Sequence, residues 1–214
     1  MALKLFVDND VILKLAQYGL LHRLLELFSA PTGTTEIFVL DSARYKLLPK
    51  RGPLELCKTE SAAAQITAFL DSATKLTPEA IDLELVEVLN AAPGIDPGEA
   101  LLFAGAANSE EGRVLTGDKR ALLGLAEQDL EQISPLLSNK VITLEALIQG
   151  FVRLDHHTTQ HCIRTNPRVD KALTNVFGVS IAAAEESIHA GLASYVGHVR
   201  KALGPILSSG PPFD

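Results

Sequence analysis

The feature that most constrains this chain is a junction it repeats, an apolar run that leads into a carboxylate. Leu5-Phe6-Val7 runs into Asp8, and Val114-Leu115-Thr116-Gly117 runs into Asp118. The segment Ile95-Asp96-Pro97-Gly98 leads to Glu99 at the head of an Ala-rich apolar stretch. A strand that stops at an acid sets that acid on the C-terminal edge of a sheet, where open α/β folds hold their ligands. Carboxylates gathered there repel one another unless a cation lies between them. The pattern therefore predicts a hard divalent ion, Mg²⁺ or Mn²⁺, and phosphodiester hydrolysis as the chemistry that suits it.

The runs between these junctions alternate in character. Residues 3–7 predict a strand, and the spacing of Ile12, Leu15, Leu20, Leu24, Leu27 and Phe28 predicts helix, interrupted near Gly19. Residues 36–40 read as a second strand leading into a helix over Ser42–Leu48. Helices are expected at 55–72 and 79–91, the latter with Thr77 as N-cap and Pro78 at its first position. A helix over 99–111, a strand ending at Asp118, a helix over 119–128 and a short strand at 141–143 complete the series. This alternation predicts an α/β fold with a mainly parallel sheet, forming a domain over 1–150.

Residues 151–214 form a second region, a helical extension with no strand pattern and breaks at Asn166-Pro167 and Gly178. Its last helix is expected over about 179–203, with Ile181, Ile188, Leu192, Tyr195, Val199 and Leu203 in one stripe. Glu185 and Glu186 near its start and Arg200 and Lys201 at its end suit the helix dipole. A homodimer interface is the expected use of that stripe, with docking on the first domain as the alternative. The tail from Ser208 to Asp214 is expected to fray.

A chain of 214 residues, 47% hydrophobic and 21% charged, can bury a proper core. It holds no apolar run of membrane-spanning length, and Lys4, Asp8 and Asp10 fall where a signal peptide needs apolar residues. A soluble cytoplasmic protein with no membrane partner is expected. Cys57 and Cys162 lack ligand-like spacing and read as reduced side chains. A net charge of -7 argues against broad adhesion to nucleic acid, yet Ser42–Leu54 contains no acid and carries Arg44, Lys46, Lys50 and Arg51. That segment reads either as a phosphate-contacting patch or as a solvated loop bounded by Pro49 and Pro53. Lys119 and Arg120, directly after Asp118, are further candidates to position a phosphate backbone.

Three stretches, FVDNDVILKLA from Phe6, IDPGEALLFAGAA from Ile95 and VLTGDKRAL from Val114, resemble the PIN domain family. These are small metal-dependent ribonucleases that include the VapC-type toxins, and order and spacing match over roughly residues 3–150. The resemblance implies a three-layer fold whose four- or five-stranded parallel sheet gathers acids at its C-terminal edge. They would bind Mg²⁺ or Mn²⁺ and activate water against an RNA phosphate. It further implies RNA as substrate, self-association, and an antitoxin as a possible protein partner. By position, Asp8 matches the first family acid, Glu99 the helical acid of the third motif, and Asp118 the strand-end acid of the fourth. Asp10 and Thr116 match small polar residues that orient the site, and Asp96 suits the N-cap of the helix bearing Glu99. The family commonly places a Glu in the helix after the second strand, where this chain has Tyr45 or Lys46. Asp41 is the nearest acid, either a substitute or that helix's cap.

Rival readings share some of these residues. Asp8 and Asp10 also fit the DxD of a haloacid-dehalogenase-like phosphotransferase, nucleophile and general acid, but no second acid follows Asp118 four residues on. A domain that keeps the fold without a working site, serving as an interaction module, is the non-enzymatic alternative. His157 and His161 share a helix face with Asp155 and Cys162 nearby, a zinc-like spacing with no second ligand pair, so a polar helix surface is the favoured reading. Neither a GxSxG elbow nor a Gly-rich phosphate loop is present.

Overall fold

The computed structural model describes residues 2–28, 34–77, 81–127, 130–208 and 210–211. At its centre lies a five-stranded, all-parallel sheet: β1 (Leu3–Val7), β2 (Thr35–Leu40), β3 (Thr74–Leu76), β4 (Gly112–Thr116) and β5 (Val141–Thr143). Their order is β3-β2-β1-β4-β5. β1 is the pivot, with Leu3 opposite Thr35 of β2 on one side and Lys4 opposite Gly112 of β4 on the other. Winding reverses between β1 and β4, and right-handed crossovers on either side of a reversal carry their helices to opposite faces. The outcome is the three-layer α/β class expected from the sequence. Strands covered on both faces must be apolar throughout, and Leu5, Phe6, Val7, Val114, Leu115, Val141 and Ile142 are all buried.

The helices follow local signals in part. α1 (Asn9–Tyr18) ends at Gly19, whose φ of 73° supplies the left-handed cap, and a 3₁₀ turn at Leu21–Arg23 and α2 (Leu24–Leu27) follow. α3 (Ala43–Leu47) comes after β2. The helix expected at 55–72 is two, α4 (Pro53–Cys57) and α5 (Glu60–Ser72). Lys58 breaks them with φ 69°, and Thr59 restarts the helix by accepting the Ala62 amide at 3.1 Å. The helix expected at 79–91 is α6 (Leu83–Asn90), capped by Asp82 rather than Thr77, because residues 74–76 are extended beside β2 as β3; Pro78 lies outside the described residues. α7 (Pro97–Ala107) lies directly on β1, where a Cβ at Gly105 would come within 2.6 Å of the Phe6 ring. α8 (Lys119–Ala126) follows β4. α9 (Leu130–Leu137), which carries an internal Pro135, has no counterpart in the sequence reading.

The extension is continuous with this body. The boundary expected at 150 falls inside α10 (Leu144–Leu154), and α11 (His156–Thr165), α12 (Lys171–Phe177) and α13 (Glu185–Leu203) follow. α13 packs on α8 and α10, and Ile188, Leu192, Val196, Val199 and Leu203 are buried in the same core as the sheet. The stripe is therefore docked within the chain, and the homodimer interface expected of it is corrected to the intramolecular alternative. Ile181 is corrected too: it precedes α13 and is 83% exposed. Alanine-rich residues 182–184 stay out of the helix because α11 takes their neighbours' backbone groups. Arg164 donates to the carbonyls of Gly178 and Ser180 at 3.2 and 3.3 Å, and Gln160 donates to that of Ala183 at 2.7 Å. The tail is not frayed at Ser208, whose amide donates to the Val141 carbonyl at 2.8 Å beside β5, nor at buried Gly210 and Pro211; residues 209 and 212–214 lie outside the described residues. Among the described residues no helix is long and apolar enough to cross a membrane.

Candidate active site

Asp8 leaves β1 and Asp118 follows β4, so both stand at the C-terminal ends of adjacent strands where the winding reverses, the usual crevice of an open α/β sheet. The neighbouring strand holds Asp8 at both its ends. The Asp8 amide donates to the Leu115 carbonyl at 3.0 Å, and the Thr116 hydroxyl donates to Asp8 Oδ2 at 3.4 Å. α7 begins at the same edge and brings Glu99 with it: a Cβ at Gly98 would lie 2.7 Å from Leu40 at the end of β2.

An Asp before a helix is most often a cap. Asp82, Asp96, Asp118, Asp155 and Asp170 all behave so, each accepting amides from the helix it precedes. Asp8 stands in the same place before α1, is only 8% exposed, and makes no capping hydrogen bond. Its carboxylate is buried without the structural duty that explains the others. Beside it, Asn9 Oδ1 is buried with no hydrogen-bond partner among the described residues.

The electrostatics separate the three acids. Burial, then the charges of Asp10 and Asp96, push Asp8 up to about 6 against the opposing pull of the Asn9 amide and the Thr116 hydroxyl. Glu99, also 8% exposed, is pushed up to about 7 by burial first and then by the charges of Asp96, Asp118 and Asp8. It stays anchored by a capping box in which its amide donates to Asp96 Oδ1 at 2.8 Å and its Oε2 accepts the Asp96 amide at 2.7 Å. At Asp118 burial also pushes upward, but hydrogen bonds from the Arg120 side chain and from the Arg120 and Ala121 amides outweigh it and hold the carboxyl below its ordinary range.

Asp10 joins this edge through an ion pair with Lys14 at 2.9 Å, and Lys14 also meets Asp170 of the extension at 3.0 Å. A Cβ at Gly117 would lie 2.5 Å from Asp10 Oδ2, so glycine between Thr116 and Asp118 is what lets that carboxylate fit. Lys14 and Asp170 were missed in the sequence. The i, i+4 spacing of Asp10 and Lys14 was a signal, whereas Asp170 is remote in the chain and left none. Glu145 was missed as well: two residues past β5 in the first turn of α10, it is buried and meets Lys119 at 3.3 Å.

Other expected residues stay apart. Asp41 pairs with Lys75 at 2.8 Å on the exposed surface, and Ser42 holds the N-cap position of α3, so Asp41 is not that helix's cap. Arg44 pairs with Asp71, and Lys46, Lys50 and Arg51 are exposed around α3 and α4. Lys119 sits between Glu145 and the Tyr195 ring, 4.7 Å from its centroid, and Arg120, 85% exposed, reaches Asp118 Oδ2 at 3.2 Å. Asp155 caps α11 and faces Arg23 at 3.7 Å, and His161 is exposed.

Among the described residues no group of three or more Asp, Glu, His or Cys side chains is placed so that it could hold a metal ion. The donors at the sheet edge are nonetheless oxygens alone, carboxylates with an orphaned amide oxygen, the set that suits Mg²⁺ or Mn²⁺ rather than a thiophilic metal. No protein-family model matches the chain, and neither a curated protein nor a solved structure matches it.

Proposed function

We propose that this chain is a PIN-like endoribonuclease that depends on Mg²⁺ or Mn²⁺ and hydrolyses RNA phosphodiester bonds. The observation that carries the reading is the pair Asp8 and Glu99, two buried carboxylates pushed up to about 6 and 7 by burial and by like charge in one crevice. Gathering like charge in a partly desolvated place costs free energy, and a bound cation offsets that cost. Asp8, Glu99 and Asp118 would hold it. When bound, such an ion supplies Lewis acidity, easing deprotonation of water and stabilising charge on phosphate oxygens.

The chain's own residues supply orientation. The Thr116 hydroxyl steadies Asp8, the capping box with Asp96 fixes Glu99, and Lys14 restrains Asp10. Arg120 would exchange its exposed pairing with Asp118 for a phosphate oxygen, and Lys119 lies beside it on the first turn of α8.

The test is cleavage of a labelled RNA by wild type, Asp8→Asn and Asp118→Asn with Mn²⁺. Asn keeps the volume and remains a good N-cap, so both variants should fold, while loss of a ligand charge lowers the rate by orders of magnitude. Wild-type cleavage that persists undiminished in excess chelator sinks the proposal. One observation favours a second reading, an RNA-binding module without catalysis: Asp41 is tied to Lys75, leaving the region after β2 without a free acid. RNA binding with no metal-stimulated cleavage selects that reading.

A further inference from the structure

A second place in the molecule carries chemistry that the acid cluster does not use. Where α1 and the junction of α4 with α5 meet the turn between α11 and α12, a cleft of about 530 Å³ opens, lined in part by Gln17, Lys58, Thr59, Thr165, Asn166 and Arg168. None of its lining residues is acidic, although the chain as a whole carries a net charge of -7. Lys58 Nζ donates to the Glu55 carbonyl at 2.6 Å, and among the described residues neither Lys58 nor Arg168 is ion-paired with a carboxylate. Two cations therefore share one concave surface with no anion to answer them.

The backbone adds an independent observation. Lys58 has φ 69° and ψ -31°, a conformation in which glycine would fold at lower cost than lysine. A side chain kept where the backbone disfavours it points to a use for that side chain.

The neutral polar groups specify what else the ligand must offer. Gln17 Nε2 donates to the Leu56 carbonyl at 2.8 Å and Asn166 Nδ2 to the Cys162 carbonyl at 2.9 Å. Both amides thus keep their oxygens as acceptors, suited to the hydroxyls of a sugar or the amino group of a base. The cleft volume lies in the ordinary range for small-molecule sites.

From this combination we infer that the cleft binds a phosphate-bearing ligand of nucleotide size, its phosphate on Lys58 and Arg168 and its donors on Gln17 and Asn166. The ligand is either a free mononucleotide or the 5′-terminal nucleotide of an RNA strand, which present the same chemistry. The site stands independently of the ribonuclease reading, since no lining residue belongs to the acid cluster.

The experiment is titration calorimetry on the full chain in chelator, with adenosine 5′-monophosphate and with a 5′-phosphorylated RNA oligonucleotide as probes. Saturable binding of at least one probe is expected, weakening with added salt. Arg168→Gln and Lys58→Asn should each weaken it by about tenfold or more, as loss of a charge-assisted contact does, with unchanged melting temperature. Arg168→Gln changes no residue of positive φ and keeps the test decisive should Lys58→Asn fold poorly. Asp118→Asn should bind as wild type does. Binding of the mononucleotide identifies a free-nucleotide site, and binding of the oligonucleotide alone, lost without its 5′ phosphate, identifies a strand-end site. No saturable binding of either probe at millimolar concentration, binding that survives both substitutions, or binding abolished by Asp118→Asn overturns the inference.

Discussion

The two ends of α7 meet the two edges of the sheet and are built on opposite electrostatic terms. Past its C-terminus, Lys140 Nζ donates to the carbonyls of Ala106, Ala107 and Ser109 at 3.0, 3.0 and 2.8 Å. Each of the three ammonium protons finds an acceptor, and the cation lies at the negative pole of the helix. At the N-terminus, Glu99 instead faces the charges of Asp96, Asp118 and Asp8, and the positive pole of the helix only partly offsets them. Burial and the charge of Arg113 still hold the Lys140 ammonium below its ordinary range, so that edge is closed by hydrogen bonds rather than by charge, and the other keeps like charges without such acceptors or donors to saturate them. The difference teaches where a ligand belongs: an edge whose hydrogen bonds are all made offers it nothing, whereas an open one gains when an opposite charge arrives.

Binding should therefore act on one end alone. Saturating Mn²⁺, at about a hundredfold over its dissociation constant, should add roughly 2.7 kcal/mol to stability by linkage and be reversed by chelator. Differential scanning fluorimetry reads this as a rise in melting temperature, and no shift with either Mn²⁺ or Mg²⁺ would break the comparison. At the other end, Lys140→Met strands carbonyls that have lost a charged donor and should cost about 2 kcal/mol, or roughly 4–8 °C in melting temperature for a chain of this size. A neutral outcome there would show that the closed edge contributes less than its geometry implies.

The pH dependence should carry the opposite sign from ordinary acid denaturation. Asp8 and Glu99 are raised in the folded state to about 6 and 7, so in chelator their contribution is fully present below their unfolded values and is lost as pH rises through those raised ones. Stability attributable to this pair should fall between about pH 4 and pH 7. Glu99→Gln, which can keep the capping box, should flatten that fall and stabilise the metal-free protein at pH 8 by about 1–2 kcal/mol in urea titration. A variant less stable than wild type at pH 8 would contradict the uncompensated charge. The smallest effect belongs to Arg120→Ala. Its pair with Asp118 is mostly solvated, so stability should hardly change, while NMR titration should show the Asp118 carboxyl moving up toward its ordinary range.

Local sequence determined a good part of this protein. The strand-to-acid junctions at Asp8 and Asp118, the end of α1 at Gly19 and the pairing of Asp96 with Glu99 as cap and partner are each written in a few neighbouring residues. Periodicity, caps and turn residues act over one turn or one strand, and that range is enough to place the acids on one edge of a parallel sheet. Tertiary structure alone decided the rest. Thr74–Leu76 is a strand because β2 offers it an edge, α13 starts at Glu185 because α11 holds the backbone before it, and Lys14 bridges Asp10 to Asp170 because the chain entering α12 returns to α1. It also decided which acids are caps and which are charged and buried. Asp8 and Asp118 share the same strand-to-helix context, and only the packing around them, with burial and the charge of Asp10 for one and the hydrogen bonds from Arg120 for the other, drives their protonation in opposite directions. Interactions of that kind depend on residues far apart in the chain, and no local pattern records them.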